Sequence, residues 1–213
     1  MVENENYKNI LECKIITLGE VGVGKTSIIR RFVDGVFKKD EISTLGIQFS
    51  WKNLELDNNR KIKLSLIDTS GQEKYRSLPP TYFKKVDVVL FVFAVDNPSS
   101  FENIQYWIDT FNENNNGKNV KKMYLIGNKN DLGKEIEQKS IDDFADKYGL
   151  TYMETSAKTK NQINELFTII GEDIYEEIEK KSIMRVGTQK NKIVSKSKIG
   201  TNKSNSRKCC RDK

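Results

Sequence analysis

The sequence predicts an α/β fold: a mostly parallel six-stranded sheet with one antiparallel edge strand and helices on both faces. Three observations predict it. Short apolar runs alternate with segments of helical periodicity through residue 179, the pattern of strands joined by crossover helices. Two of those runs flank a short polar "DNN" and read as a hairpin, which supplies the antiparallel pair. The Gly-rich stretch "GEVGVGKT", residues 19–26, sits between an apolar run and a helical one, as do ligand loops at the carboxyl ends of parallel strands.

Each element has its own warrant. The first strand is "ECKIITL" (Glu12 to Leu18), an Ile-rich apolar run, and the helix behind it places Ile28, Ile29, Phe32 and Val33 at helical spacing. After the polar "KKDEIST", the hairpin pairs "GIQFSWKNLEL" with "RKIKLSLI". "DTSGQEKYRSLPP" reads as a loop with two adjacent prolines. "VDVVLFVFAV" is a near-continuous apolar run, the mark of a strand buried on both faces. "NPSSFENIQYWIDTFNE" opens with a capping signal and a proline and sets Phe101, Ile104, Trp107, Ile108 and Phe111 on one helical face. "KKMYLIG" is a further strand, "SIDDFADKYG" a helix stopped by Gly149, and "TYMET" a short last strand. From about Asn161 a final helix buries Ile163, Leu166, Phe167, Ile170 and Ile174.

Composition narrows the chemistry. The chain has 213 residues and no histidine, so every His-based triad, imidazole base and His metal site is excluded. Catalysis has to rest on backbone dipoles, amides, hydroxyls, carboxylates or a metal ion. Three cysteines, Cys13, Cys209 and Cys210, are too few for a disulfide framework, and Cys13 on the first strand is expected to pack in the core. The N-terminus has no apolar h-region and no run approaches about 18 apolar residues. Neither secretion nor a spanning helix is expected, and the cytosol is the expected compartment.

Charge is uneven. Residues 180–213 hold twelve Lys/Arg and one Asp, net +11, which leaves 24 basic against 29 acidic residues before them, net −5. The expected organisation is a short flexible N-terminus (1–10), a folded domain (11–179) and a disordered basic tail (180–213). A mildly acidic body argues against a nucleic-acid-binding surface. The tail alone is compatible with a solvated basic segment, nonspecific nucleic-acid contact or a membrane surface.

Four motifs carry chemistry. In "GEVGVGKT", Gly19, Gly24, Lys25 and Thr26 fill the pattern of a phosphate-binding loop. Its glycines let successive N–H groups point into one concavity, and the helix that follows adds its positive end. Lys25 can reach terminal phosphates and Thr26 can ligate Mg²⁺; on this motif alone ATPases, GTPases and small-molecule kinases all remain open. "NKND" (Asn128 to Asp131) follows a buried strand. A carboxylate there accepts from both guanine N1–H and the exocyclic amine, a donor pair adenine lacks, so Asp131 argues GTP over ATP. "DTSGQE" (Asp68 to Glu73) offers a carboxylate for a metal, a glycine N–H and the amide of Gln72 to orient water. Thr44, in "STLGIQF", can present its hydroxyl to Mg²⁺ from a loop. Loops held only by a γ-phosphate let go when it leaves.

With "ETSAK" (Glu154 to Lys158), these stretches in this order resemble the guanine-nucleotide motifs of the Ras superfamily over roughly residues 11–179, and the chain is similar to the Rab family in particular through "GIQF", "KYRSLPPTYFKKVDVVLFVFAVDNPSSFENIQYW" and the paired cysteines. That resemblance implies the fold of a small G domain, a P-loop NTPase. It implies a GTPase that hydrolyses GTP slowly, a GTP/GDP switch that recruits effectors in vesicle traffic, with Mg²⁺ as cofactor; the alternatives are a Ras- or Rho-like signalling GTPase and, with Val21 in the phosphate loop, a nearly non-hydrolysing GTP-binding scaffold. Gly22, Val23, Gly24, Lys25, Thr26 and Ser27 would cradle the phosphates; Thr26, Thr44 and Asp68 would hold the metal, Asp68 through water. Gly71 would donate to the γ-phosphate, with Gln72 positioning the hydrolytic water and Lys25 and Thr44 assisting. Phe37 would pack on the base edge, Asn128 and Asp131 would read it, and Lys129 would lie over its face. Ser156, Ala157 and Lys158 would close that end, the Ala157 N–H on O6. The partners implied are an exchange factor, a GTPase-activating protein, a GDP-dissociation inhibitor, Rab escort protein with geranylgeranyl transferase, and effectors; the chain itself would be a monomer.

Three positions depart from the family pattern. Val21 stands where Ras itself carries glycine, Ser70 where most relatives have alanine, and Ile67 where Rabs have a tryptophan that helps form the effector surface. At the end, "RKCCRDK" resembles the double-cysteine endings of Rabs, which implies geranylgeranyl groups on Cys209 and Cys210 and residence on the cytoplasmic face of an intracellular membrane, cycling with the cytosol. Two lipid chains, or one with a polybasic segment, anchor stably where a single chain does not.

Overall fold

In the computed structural model the described residues are 10–39, 44, 46–69, 79–115 and 120–197, with side chains described to residue 180. Six strands form one sheet in the order β2-β3-β1-β4-β5-β6, with β1 Leu11–Leu18, β2 Ile47–Glu55, β3 Lys61–Thr69, β4 Val88–Ala94, β5 Lys122–Asn128 and β6 Thr151–Glu154. Among the described strands only β2 and β3 pair antiparallel, Ile47 opposite Thr69 and Glu55 opposite Lys61; β1 pairs in parallel with β3 and β4, as do β4 with β5 and β5 with β6. The predicted sheet is the observed one. All seven residues of β4 are buried, as its unbroken apolar sequence requires of a central strand. Edge strand β2 instead leaves Phe49 and Trp51 exposed.

Helices cover both faces. Val89, Phe91 and Phe93 of β4 pack with Trp107, Ile108, Phe111, Ile141 and Ala145, residues of α4 (Ile104–Asn115) and α5 (Gln138–Tyr148). The intervening β4 side chains face the other way. There α1 (Lys25–Asp34) and the start of α6 (Ile163–Ser197) meet through Phe32 and Phe167, stacked at 3.8 Å between centroids. Cys13 is fully buried, and burial, with Asp87 nearby, pushes its thiol up to about 12; it is a core residue, as expected.

Local chemistry sets the element ends. Gly149 stops α5 in the left-handed region at φ 63, its N–H returning to Ala145 and Asp146 carbonyls. Asn97 caps α3 (Pro98–Glu102) by accepting from the Ser100 N–H, with Pro98 at the first helical position. The single helix expected from residue 98 onward is two: Asn103, at φ −74 and ψ −6, separates α3 from α4. Asparagine competes with its own backbone for such turns. Ile104, Trp107, Ile108 and Phe111 are buried as predicted, whereas Phe101 is half-buried. Within the stretch expected to be loop, Pro80 starts the one-turn helix α2 (Pro80–Phe83).

The chain divides into a compact unit ending at Ile174 and a second unit from Tyr175 onward. Helix is assigned to Ser197, within the segment expected to be a basic tail from residue 180. Residues 175–197 contain no proline and a single glycine, Gly187, so a helix already nucleated propagates at little cost per residue. Residues 1–9 and 198–213 lie outside the described residues. No described helix is long and apolar enough to cross a membrane.

Candidate nucleotide-binding site

A cavity of about 520 Å³ opens at the carboxyl ends of the parallel strands. Its floor is the turn between β1 and α1. Gly22 and Gly24 sit at φ 77 and φ 96, the latter as N-cap of α1, conformations that favour glycine. A Cβ on Gly24 would overlap Nδ2 of Asn128. The turn thus needs glycine for both backbone shape and close approach. Lys25 is buried, its ammonium donating to the carbonyls of Gly19 at 2.7 Å and Glu20 at 2.8 Å. Burial draws its pKa down to about 8, against the opposing pull of Asp68 and Glu20.

Beside the lysine, three oxygens converge. Thr26 Oγ1 donates to Asp68 Oδ2 at 2.6 Å and lies 2.6 Å from Thr44 Oγ1. Asp68 is buried at the end of β3, and the neighbouring Thr69 hydroxyl ties that end to β1 by donating to the Thr17 carbonyl at 2.6 Å. Hard oxygen donors in so small a volume suit Mg²⁺, which takes few protein oxygens and keeps water. The predicted metal set therefore fits the ion.

At the other end a carboxylate is held in place. Asp131 accepts from the Ser156 hydroxyl at 2.5 Å and pairs with Lys158 at 3.2 Å. Burial pushes its carboxyl up, but the Ser156 and Lys158 hydrogen bonds and the lysine charge outweigh this and hold it below the ordinary carboxylate value. It is an ionised acceptor at neutral pH. Phe37, Lys129, Ala157 and Lys158 line the same end of the cavity; Lys129, at φ 66, sets its ammonium 3.9 Å from Asp96.

Asn128 lines the cavity and also braces it. Its side chain is buried and hydrogen-bonded to both neighbouring loops. Nδ2 donates to the Val23 carbonyl at 2.8 Å, and Oδ1 accepts from the Thr155 hydroxyl at 3.2 Å and the Ala157 N–H at 3.3 Å. One side chain pins the phosphate loop to the base loop. Val23 and Ser156 stand behind the cavity wall, the Val23 carbonyl bonded to Asn128 and the Ser156 hydroxyl to Asp131. Gly22, Gly24, Lys25, Thr26, Ser27 and Thr44 line the phosphate end with Val21, itself 49% exposed. Gly71, Gln72 and Ser70, like Cys209 and Cys210, lie outside the described residues.

Sequence reasoning missed Lys38, Lys39 and Leu132 in the lining and Arg31 behind it. The two lysines lay in a stretch read only as polar. Arg31 gave no local signal, because its bonds reach Ala157 and Lys158. Ile67, at the position where Rabs carry tryptophan, is 1% exposed and packs in the core.

Similarity to known proteins agrees with this geometry. Residues 14–176 match the Ras family. The chain is 32% identical over 207 residues to the Ras-related protein SEC4 of Saccharomyces cerevisiae, covering 97% of this chain and 94% of that one. It is 39% identical over 164 residues to RAB1BV of Beta vulgaris (76% and 75% covered) and 35% over 181 residues to Rab-11B of Dictyostelium discoideum (84% and 81%). A phosphate loop, a hard-oxygen triad and a guanine-type carboxylate on this sheet, with relatives of this coverage, lead to one assignment: the chain belongs to the Ras family and is a Rab-type small GTPase, an enzyme that hydrolyses GTP.

Proposed function

We propose that this GTPase binds guanine nucleotide with Mg²⁺ in the described cavity and works as a lipid-anchored switch on the cytoplasmic face of an intracellular membrane. The observation that carries the reading is the Thr26 hydroxyl, hydrogen-bonded at 2.6 Å to both Thr44 and Asp68 beside the buried Lys25. The phosphate loop, the end of β3 and the segment bearing Thr44 meet at one atom. Thr26, Thr44 and Asp68 would hold Mg²⁺, which would supply positive charge against the developing phosphate charge. Lys25 adds a fixed positive charge there, and the backbone N–H groups around Gly22 and Gly24 orient the polyphosphate without reorganising. Asp131 selects guanine through its two N–H donors. Gln72 positions the attacking water and Gly71 donates to the γ-phosphate.

Thr44 lets the state of the phosphates bias a whole segment, because its hydroxyl is shared with the metal-holding pair. Hydrolysis is slow alone, and an activator's arginine accelerates such reactions by roughly 10³ to 10⁵. An exchange factor, a GTPase-activating protein and a GDP-dissociation inhibitor would govern the cycle. Effectors would read the exposed aromatics Phe49 and Trp51 on β2. Residues 11–179 form the G domain in this reading, and the basic segment 180–213 carries the prenyl acceptors Cys209 and Cys210, modified by geranylgeranyl transferase with Rab escort protein.

The test begins with the nucleotide that co-purifies: GDP or GTP is expected, and ATP or ADP would overturn the assignment of the base end. Single-turnover hydrolysis should be slow unaided; a purified protein turning over many GTP per second would contradict it. For the membrane role, Cys209→Ser with Cys210→Ser should release the protein to the cytosol, while Thr26→Asn and Gln72→Leu should distribute differently in the cell. Unchanged membrane association of the double variant would dispose of the lipid anchor.

A further inference from the structure

We infer that Arg31 is a positioning residue for guanine: it holds the two walls of the base end at a fixed separation, and so sets both nucleotide residence and discrimination against purines lacking the 2-amino group. The inference rests on the proposed recognition of the base by Asp131 and deepens it.

Arg31 lies in the last turn of α1 and does not line the cavity. Its guanidinium uses three donor directions on three carbonyls. Nε donates to Ala157 at 2.7 Å, Nη2 to Lys158 at 2.9 Å and Nη1 to Gly35 at 2.8 Å. Its Cζ stands 5.7 Å from the centroid of the Phe37 ring, within cation–π range. One wall of the base end is Phe37; the other is the loop of Ala157 and Lys158. Both are fastened to the same rigid, planar group.

The geometry reaches Asp131 in two short steps. The Lys158 backbone is held by Arg31 while its ammonium pairs with Asp131 at 3.2 Å. Ser156, one residue before the anchored Ala157, donates to the other Asp131 oxygen at 2.5 Å. From within the protein, Asn128 accepts the Ala157 N–H at 3.3 Å. Ala157 is thus held on both sides of its peptide chain, through its N–H from inside and its carbonyl from Arg31. A lysine at position 31 would keep the charge but not the fork, since an ammonium on a flexible stem cannot hold three separate carbonyls in fixed directions.

The experiment uses the full-length protein loaded with fluorescent GDP or with the inosine diphosphate analogue, which lacks the 2-amino group, and follows release during a chase with unlabelled nucleotide, with and without EDTA. Arg31→Lys and Arg31→Gln are compared with the wild type. Both variants should release GDP roughly tenfold faster or more, the scale of one lost charge-assisted hydrogen bond. Inosine diphosphate release should rise less, so that the ratio between the two nucleotides falls. The acceleration by EDTA should not change, because Thr26, Thr44 and Asp68 are untouched. Equal acceleration for both nucleotides, wild-type release from Arg31→Lys, or a variant that circular dichroism shows to be unfolded would each overturn the inference. A wild type that holds the two nucleotides equally would instead overturn base recognition by Asp131, and this inference with it.

Discussion

Replacing Asn128 by alanine tests whether the two ends of the cavity are held together as the geometry says. The substitution removes the donor to the Val23 carbonyl and the acceptor for the Thr155 hydroxyl and the Ala157 N–H. Val23 is 1% exposed and Thr155 0%, so two buried polar groups lose their partners at about 1–3 kcal/mol each. The Ala157 N–H loses its longer, 3.3 Å acceptor as well. A net loss of about 4 kcal/mol follows, which for a domain of this size lowers Tm by roughly 8–16 °C. Urea denaturation and calorimetry of nucleotide-free protein measure it, since saturating nucleotide would add its own linkage to both forms. Asn128→Asp sharpens the test. It keeps an acceptor but sets a carboxyl against the Val23 carbonyl, so the introduced group has a folded pKa above its unfolded value near 4. Its deficit relative to wild type should therefore grow as pH rises above about 4. A loss under about 1 kcal/mol for Asn128→Ala, or a deficit for Asn128→Asp that shrinks with rising pH, would refute the reasoning.

Four further outcomes are expected. Gly24→Ala places a Cβ at φ 96 against Asn128 Nδ2 and should cost about 1–2 kcal/mol from the backbone alone, measured by urea unfolding. Asp131→Asn exchanges an acceptor for a donor at the base edge, so equilibrium binding should shift from guanine toward xanthine nucleotides, whose 2-oxo group accepts; unchanged guanine preference would contradict the role given to Asp131. Lys25 has a folded pKa of about 8 against an ordinary 10.5, so the unfolded chain binds more protons between those values and stability should rise with pH across that window. The gain of nucleotide-free wild type over Lys25→Met between pH 8 and 9.5 should be about 1–2 kcal/mol. Ile67→Trp should destabilise by about 1–3 kcal/mol, because the position is enclosed rather than at the surface; an unchanged midpoint in urea would show room for the indole.

What the sequence made legible was local. The unbroken apolar run of β4, the hairpin across "DNN" and the stripe from Ile163 to Ile174 each carry their periodicity within a few residues, and each is where it was expected. Misreadings came where two local tendencies compete. Asn103 divides a helix whose apolar spacing runs straight through it, since spacing reports the buried face and not the backbone bonds. Pro80 ends a stretch whose two adjacent prolines predict a loop, although proline is also a helix starter.

The site divides along the same line. The motifs themselves are legible because each is a short run whose chemistry is complete in its residue types. The ties between motifs are not, because they are bonds between residues far apart in the chain: Asn128 to the Val23 carbonyl, and Arg31 to the carbonyls of Ala157 and Lys158. Nothing within a window around Arg31 distinguishes it from Arg30 beside it. Only the parallel sheet, by bringing the carboxyl ends of β1, β5 and β6 to one edge, sets α1 next to the base loop. A motif therefore states which ligand atoms can be met, while the sheet order decides which distant side chains keep the motifs at the right distance from one another. Residence time should accordingly respond to substitutions such as Arg31→Lys that touch no nucleotide atom.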